Sequence, residues 1–303
     1  MDRLDELEVF LAILDTGSLV GASRKLGRSA PAVTRLLSAL EERIGTRLLE
    51  RTTRHLAATE AGLRLAGQAR QVLSLYEAAV SDDASTAMRG KLRITAPMVF
   101  GRRHVAPIVN SYLDRYPEMQ VEMMMSDRNL DLIEEGLDLA VRIGTLADTT
   151  LVARPVGMVG RLLVASPDYL ARRGMPQTPH DLLQHDVIFT TERIHATEWR
   201  FRHEGRERTV QLTPRLTVNE IDAALLAAKA GRGIARALSY QVAEDLEAGA
   251  LVRLLPDYEP APLPVQLVVT GTRHMVPRLR AFLDHAVSAL SNLSVIQQAQ
   301  FRS

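Results

Sequence analysis

Cysteine is absent from the 303 residues, which excludes disulfides, thiolate metal sites and thiol redox sensing. An excess of charge is missing too. The formal net charge is +1, so any surface for a nucleic acid has to be a local patch. No apolar run approaches membrane-spanning length, and Met1 to Glu8 is acidic and amphipathic where an export leader would be basic and then apolar. The cytoplasm is therefore the expected compartment. Clustered histidines are also lacking. His55, His104, His180, His185, His195, His203, His274 and His285 are scattered, with neither a His-Glu-x-x-His helix nor a third ligand at a fixed offset. Gly231-Arg232-Gly233 lacks the preceding strand and third glycine of a phosphate-cradling loop, and Ser166 and Ser239 lack a nucleophile-elbow context. The expectation is a protein that is not an enzyme and holds neither a metal nor a cofactor.

What is present is ordinary for a soluble globular chain, 46% apolar and 24% charged, and its length predicts two or three domains. The informative stretch runs from Gly17 to Arg54. Ser18 is placed to cap a short helix whose inner face is Leu19, Ala22, Ser23 and Leu26, and Gly27 supplies a tight turn. Ser29 is placed to cap a second helix with Pro31 in its first turn and Val33, Leu36, Leu37 and Leu40 as its core stripe. Ala30, Pro31, Thr34 and Arg35 remain outward at the front of that helix. Between Arg24 and Arg35 lie four cations, Arg24, Lys25, Arg28 and Arg35, and no carboxylate, so this charge is expected to face a polyanion. A helix-turn-helix sets the start of its second helix against base edges while flanking cations hold phosphates. Its predicted DNA-binding residues are Arg28, Ser29, Ala30, Pro31, Thr34, Arg35, Arg51 and Arg54. The alternative is a solvated cationic face on an ordinary helical hairpin.

Around this motif, Leu4, Leu7, Phe10, Leu11 and Leu14 form the stripe of a first helix over residues 3–15. Gly45 to Ala58 is β-prone and reads as a two-stranded wing carrying Arg47, Arg51 and Arg54. Thr59 caps a long helix running to about Met88, in which Gly62, Leu65, Ala69, Val72, Tyr76 and Ala79 follow coiled-coil spacing. A dimer seam is the expectation, and docking on the protein's own core the alternative. Residues 81–86 and 89–91 mark a hinge.

From Lys91 onward strands alternate with helices, which predicts a parallel sheet covered on both faces. Strands are expected at 92–96, 120–126, 137–143, 161–165, 187–190, 233–237, 251–255 and 265–270. Helices are expected at 99–116, 130–136, from Ser166-Pro167, 219–230, 239–247 and 276–293. A hairpin is expected at 199–212 around Glu204-Gly205. The order fits two α/β lobes.

The chain resembles the LysR-type transcriptional regulators. The carrying residues are Phe10, Gly17-Ser18, Ala22, Leu26, Ser29 to Arg35, Leu40-Glu41, Gly45 to Leu49, Arg51-Thr52-Thr53-Arg54 and Thr59 to Gly62. The likeness continues through Leu92 to Pro97, Tyr112 to Pro117, Asp138 to Gly144, Ala165 to Leu170 and Gly231 to Ala235, the pattern of the subgroup with an Arg-Thr-Thr-Arg wing. Two positions depart: Ala30 stands where the family often has Gln, and Thr34 where it usually has Ser. The resemblance implies a winged helix-turn-helix over 1–58, a dimerising linker helix over 59–88, and a periplasmic-binding-protein-like effector domain over 89–303. Lobe I would span 91–161 and 267–303, and lobe II 162–266. It further implies binding to double-stranded DNA and a small molecule, with homodimers pairing into homotetramers.

In such α/β lobes a ligand sits outside the carboxyl ends of the strands. That selects Pro97, Met98, Val99, Phe100, Ser126, Asp127, Arg142, Ile143 and Gly144 in the first lobe, and Thr190, Thr191 and the helix start around Asn219 in the second. Met98, Val99 and Phe100 would form an apolar wall and Arg142 an anion clamp, which points to a small organic acid. The alternative for Arg142 is a surface pair with Asp127 or Glu135. A solute-binding protein for transport would share the lobes but leave residues 1–60 idle.

Overall fold

The computed structural model describes residues 2–51, 56–80, 88–146, 151–190, 198–271 and 275–297. The expected hinge at 81–86, and Thr52, Thr53, Arg54, Thr191 and His195, lie outside the described residues. The chain divides into two compact units: Met1–Arg142 with Ala147–Arg154 and Leu267–Ser288, and Ile143–Leu146 with Pro155–Gln266 and Ala289–Ser303.

The first unit opens with three helices, α1 (Arg3–Thr16), α2 (Leu19–Leu26) and α3 (Ala30–Ile44). Local chemistry sets each boundary. Asp2 Oδ1 accepts from the Leu4 amide at 3.1 Å, and Ser18 Oγ accepts from the Gly21 amide at 3.0 Å. Gly27 closes α2 in the left-handed region at φ 62°, and there the Arg28 amide reaches the Ser23 carbonyl at 3.0 Å. The expected Ser29 side-chain cap is not formed; α3 starts on Pro31 in its first turn instead.

Val9, Phe10, Ile13, Ala22, Val33, Leu36, Leu40 and Leu48 are the fully buried centre of this bundle. The stripe of α1 thus departs from expectation, with Leu4, Leu7 and Leu14 only partly buried. Helices α2 and α3 and the long helix that follows all pack on α1, which widens its buried face. Glu6 is buried with them and is paired with Arg43 at 2.6 Å.

Strands β1 (Leu49–Arg51) and β2 (Leu56–Ala58) form the wing, antiparallel with Leu49 opposite Ala58. Helix α4 (Glu60–Val80) begins where Thr59 Oγ1 accepts from the Gly62 amide at 3.0 Å. Its expected seam divides. Gly62 and Ala69 are buried and Leu65 half-buried against the three-helix core, whereas Val72 and Tyr76 are 45% and 50% exposed. The amino-terminal half of the stripe therefore serves the protein's own core. The Ala79 side chain lies outside the described residues.

The remaining elements are β3 (Gly90–Ala96), a single turn α5 (Met98–Phe100) running through a π-helical turn into α6 (Ala106–Arg115), β4 (Met119–Met125), β5 (Leu139–Ile143), β6 (Val152–Val159), β7 (Arg161–Ala165), α7 (Pro167–Arg173), β8 (Val187–Thr190), β9 (Glu198–His203), β10 (Arg206–Gln211), β11 (Leu216–Val218), α8 (Ile221–Lys229), β12 (Ile234–Leu238), α9 (Ser239–Glu247), β13 (Val252–Leu254), β14 (Leu263–Val269) and α10 (Pro277–Ser291). Two five-stranded sheets result, in the orders β4-β3-β5-β14-β6 and β11-β8-β12-β7-β13.

Both α/β lobes are present, but the second sheet is not purely parallel. Strand β3 runs parallel to β4 and β5, and β12 runs parallel to β8, yet β7 is antiparallel to both β12 and β13. Alternation of strand and helix reports element type and is silent on the end from which a strand enters. Two strands escaped the pattern: β6 contains Pro155 and Gly157, residues that read against a strand, and β11 has only three residues. The helix expected at 130–136 is a run of turns. Asp131 Oδ1 takes the Ile133 and Glu134 amides at 2.8 and 2.9 Å, and Gly136 turns at φ 61°, so the side chain wins over the helix.

Candidate nucleic-acid interface and effector-binding elements

At the front of α3, Pro31, Thr34 and Arg35 are exposed and Ala30 is half-buried. The Thr34 hydroxyl donates to the Ala30 carbonyl at 3.1 Å, which folds it onto the helix and keeps the surface low. Small groups flanking one long cation leave room for a base edge beside Arg35. Ser29, exposed and free of a capping bond, stands at the tip.

The four cations of this motif do not behave alike. Lys25 pairs with Asp15 at 2.8 Å and Arg28 with Asp5 at 2.5 Å, both carboxylates on α1. The expectation that no salt-bridge partner serves this cluster is thereby corrected: the acids are adjacent in space and distant in sequence. The Asp5 hydrogen bond raises the Arg28 pKa further. Burial pushes the Asp15 carboxyl up, but Lys25 and Arg70 together hold it below its ordinary value. Among the described residues no ion pair forms at Arg24 or Arg35, both exposed. Arg47 is exposed at the root of the wing and Arg51 ends β1. The Arg51 side chain and all of Arg54 lie outside the described residues.

The first-unit effector candidates gather at the carboxyl ends of β3, β4 and β5. Pro97 precedes the α5 turn, and Asp127 Oδ1 accepts from the Met98 amide at 3.0 Å. Ser126 follows β4, with its amide on the Ala96 carbonyl at 2.9 Å and its hydroxyl accepting from the Arg128 amide at 3.1 Å. The apolar wall is smaller than expected. Met98 is 37% exposed, but Val99 and Phe100 are 1% and 0% exposed, and the Phe100 ring meets His104 edge-on. The one-turn α5 rotates both into the core. Arg142 forms neither of the surface pairs weighed for it; its guanidinium donates to the Leu130 carbonyl at 2.6 Å.

In the second unit, Ile143 is half-buried and Gly144, at φ 124°, donates to the Pro264 carbonyl at 2.9 Å and accepts from the Gln266 amide group at 2.8 Å. Thr190 is exposed at the end of β8. Asn219 is exposed between β11 and α8, and Glu220 rather than Asn219 occupies the N-cap of α8. Among the described residues no cluster of three or more His, Asp or Glu is arranged to hold a metal, and no helix is long and apolar enough to cross a membrane.

Residues 4–63 match the bacterial regulatory helix-turn-helix protein, lysR family, and residues 85–291 match the LysR substrate binding domain. The chain belongs to the LysR family. It is similar to the probable HTH-type transcriptional regulator LtrA of Klebsiella pneumoniae, at 33% identity over 290 residues and 94% of each chain. It is likewise similar to the HTH-type transcriptional regulator PtxR of Pseudomonas aeruginosa, at 34% identity over 286 residues, 93% of this chain and 91% of that one. Among solved structures it resembles CrgA, a LysR-type transcriptional regulator from Neisseria meningitidis, at 30% identity and a TM-score of 0.61 over 95% of this chain and 99% of that one. A further likeness is to full-length AphB, the Vibrio cholerae virulence activator, at 28% identity and a TM-score of 0.62 over 95% and 99%.

The LysR-type chain is thus a transcriptional regulator that binds DNA and a small-molecule effector. A transport role is not supported, because the helix-turn-helix match accounts for the residues such a role would leave idle. The relatives are named as regulators, not enzymes.

Proposed function

We propose that residues 1–58 read operator DNA through the front of α3, with Arg35 on base edges, Ser29, Ala30, Pro31 and Thr34 against the groove floor, and Arg28, Arg51 and Arg54 on phosphates. The observation that carries this reading is the division of the cations. Arg28 is oriented by Asp5, while Arg35 stands exposed without an ion pair among the described residues, beside small side chains. An exposed, unpaired guanidinium is the group best able to form a bidentate contact with a guanine.

Residues 59–88 join two such heads through Val72 and Tyr76, the exposed half of the α4 stripe, and dimers pair into tetramers. Residues 89–303 bind the effector, a small organic acid, at the strand ends that carry Pro97, Met98, Ser126, Asp127, Arg142, Ile143, Gly144, Thr190 and Asn219. Val99 and Phe100 support that surface from behind. For Arg142 to serve as the clamp, an acid has to displace the Leu130 carbonyl from its guanidinium, an exchange of a neutral hydrogen bond for a charge-assisted one. The protein acts in the cytoplasm and needs no catalytic step.

The experiment is selection of bound duplexes from a randomised pool, run in parallel on the full chain and on Val72→Asp. Enrichment of paired, two-fold-related half-sites by the parent, with a smaller oligomer and weaker retention for Val72→Asp, is the expected outcome, since linked heads gain from effective concentration. A Val72→Asp chain that sediments with the parent refutes the α4 contact, and a pool without enrichment refutes base reading.

A further inference from the structure

The β9–β10 hairpin covers one face of the second sheet, burying Trp199 and Phe201 with Leu163, Ala165, Ile234 and Leu254. Two arginines share that face. In the antiparallel register of β12 and β7, Arg161 lies opposite Leu238 and Arg236 opposite Leu163. Arg161 and Arg236 are therefore diagonal neighbours, about 7–8 Å apart at the backbone.

The Arg236 guanidinium lies over the rings of Trp199 and Phe201, 4.9 and 5.2 Å from their centroids, and one Nη donates to the Arg200 carbonyl at 2.9 Å. Arg161 donates through one Nη to the Ala261 carbonyl at 3.3 Å. The Nε of each is buried without a hydrogen-bond partner, and among the described residues neither arginine meets a carboxylate in an ion pair. Burial, and then the charge of Arg161, bring the Arg236 pKa down to about 9. Burial and then Arg200 lower that of Arg161, against an upward pull from Glu207. Elsewhere in this unit a half-buried arginine is answered by an acid: Arg253 holds Glu259 through two bonds of 2.7 Å.

A cation stapling the hairpin to the sheet needs the aromatic rings but gains nothing from a second cation beside it. Two neighbouring, desolvated guanidiniums repel each other and cost free energy until an anion joins them. We propose that Arg161 and Arg236 form a site for the oxyanion group of a small molecule, a carboxylate or a phosphate, on the sheet face beneath the β9–β10 hairpin. Each guanidinium retains donors beyond the one it spends on a backbone carbonyl, and both are only partly exposed. A single compact anion is small enough to reach the exposed edges of two partly exposed guanidiniums, whereas a duplex backbone is too broad to enter beneath a two-stranded hairpin. This site is separate from the strand-end residues proposed above and does not rest on them.

The test uses the full-length chain, with inorganic phosphate and malonate as probes against chloride at matched ionic strength and pH. Calorimetric titration and thermal unfolding should show saturable binding and a rise in Tm of a few degrees with at least one probe. A response to phosphate alone assigns a phosphoryl-bearing ligand, and one to malonate alone a carboxylate. Arg161→Gln, which leaves Arg236 on its rings, should abolish the response. Arg236→Met should abolish it too, and in chloride its Tm should match or exceed the parent's, because a buried uncompensated cation has been removed. The titrations are run on Arg142→Met as well as on the parent, so that any malonate held at the acid clamp is subtracted before the losses in Arg161→Gln and Arg236→Met are read. The proposal is overturned if neither probe binds the parent, or if Arg161→Gln responds like the parent. It is equally overturned if Arg236→Met loses the same Tm in every buffer while still responding, since Arg236 is then a staple only.

Discussion

The DNA-binding head and the effector-binding half place their determinants in opposite ways. In the head, caps, turn and front-face residues follow one another from Ser18 to Arg35, and each acts on a neighbour a few positions away. In the effector half, the candidates stand at the ends of β3, β4, β5 and β8 and before α8, and each is set by what a distant segment does. The first arrangement yields a surface defined by local geometry. The second yields groups whose availability depends on tertiary partners: Arg142 is engaged by the Leu130 carbonyl and Phe100 is turned into the core. Arg28, held by Asp5 across 23 positions, shows that the head is not wholly local either.

The sharpest way to break this contrast is Phe100→Ala. With the ring fully buried, truncation should destabilise the fold by about 3–5 kcal/mol in chemical denaturation. A loss of effector affinity with stability intact would restore Phe100 to the ligand wall. Gly62→Ala comes next, for a methyl there would overlap the Leu48 carbonyl oxygen, a backbone atom that has little room to yield. A cost of about 3 kcal/mol is expected. Its counterpart, Gly205→Ala at the hairpin tip, has nothing within 4 Å and bears only the left-handed backbone strain, about 1–2 kcal/mol. Equal costs at the two glycines would mean that α4 is not seated on the head as described.

The smallest effect concerns acid. Glu122 on β4 lies opposite Arg93 on β3 and is held down to about 2 by hydrogen bonds from Lys91 and then Arg93. Its folded value lies below the ordinary 4.5, so its contribution is present above about 4.5 and is lost as pH falls toward 2. Thermal unfolding of Glu122→Gln should therefore lose part of the acid limb in that window, modestly because the pair is partly solvent-screened. Asp15→Asn in the head should flatten it less, since burial opposes Lys25 and Arg70 there. A larger change from Asp15→Asn would reverse the ranking of the two regions.

Much of the fold was legible in sequence because caps and periodicity are local. The helix-turn-helix, the wing, the hairpin at Glu204-Gly205, the helix start at Ser166-Pro167 and the Thr59 cap follow from residues within a turn of one another. Three kinds of feature were not. The reversed direction of β7 is one, since alternation does not say from which end a strand enters its sheet. The turns at 131–136 arose from one aspartate side chain competing for amides that helical periodicity assigned elsewhere. The α4 stripe has one spacing but two partners, and spacing alone does not say that Gly62 and Ala69 meet the head while Val72 and Tyr76 remain exposed. For the candidate site, position at strand ends was legible, but occupancy was not: no pattern near Arg142 signals that a carbonyl twelve residues away takes its guanidinium.

The central claim is that α3 reads base sequence through Arg35 while neighbouring cations only anchor phosphates. It is tested most directly by measuring, at one fixed salt concentration, the affinity of the parent and of Arg35→Ala for a selected operator and for a random duplex of equal length. The account predicts a loss of about 1–3 kcal/mol on the operator and a clearly smaller loss on the random duplex. Equal losses on both would contradict it and reduce Arg35 to another phosphate contact.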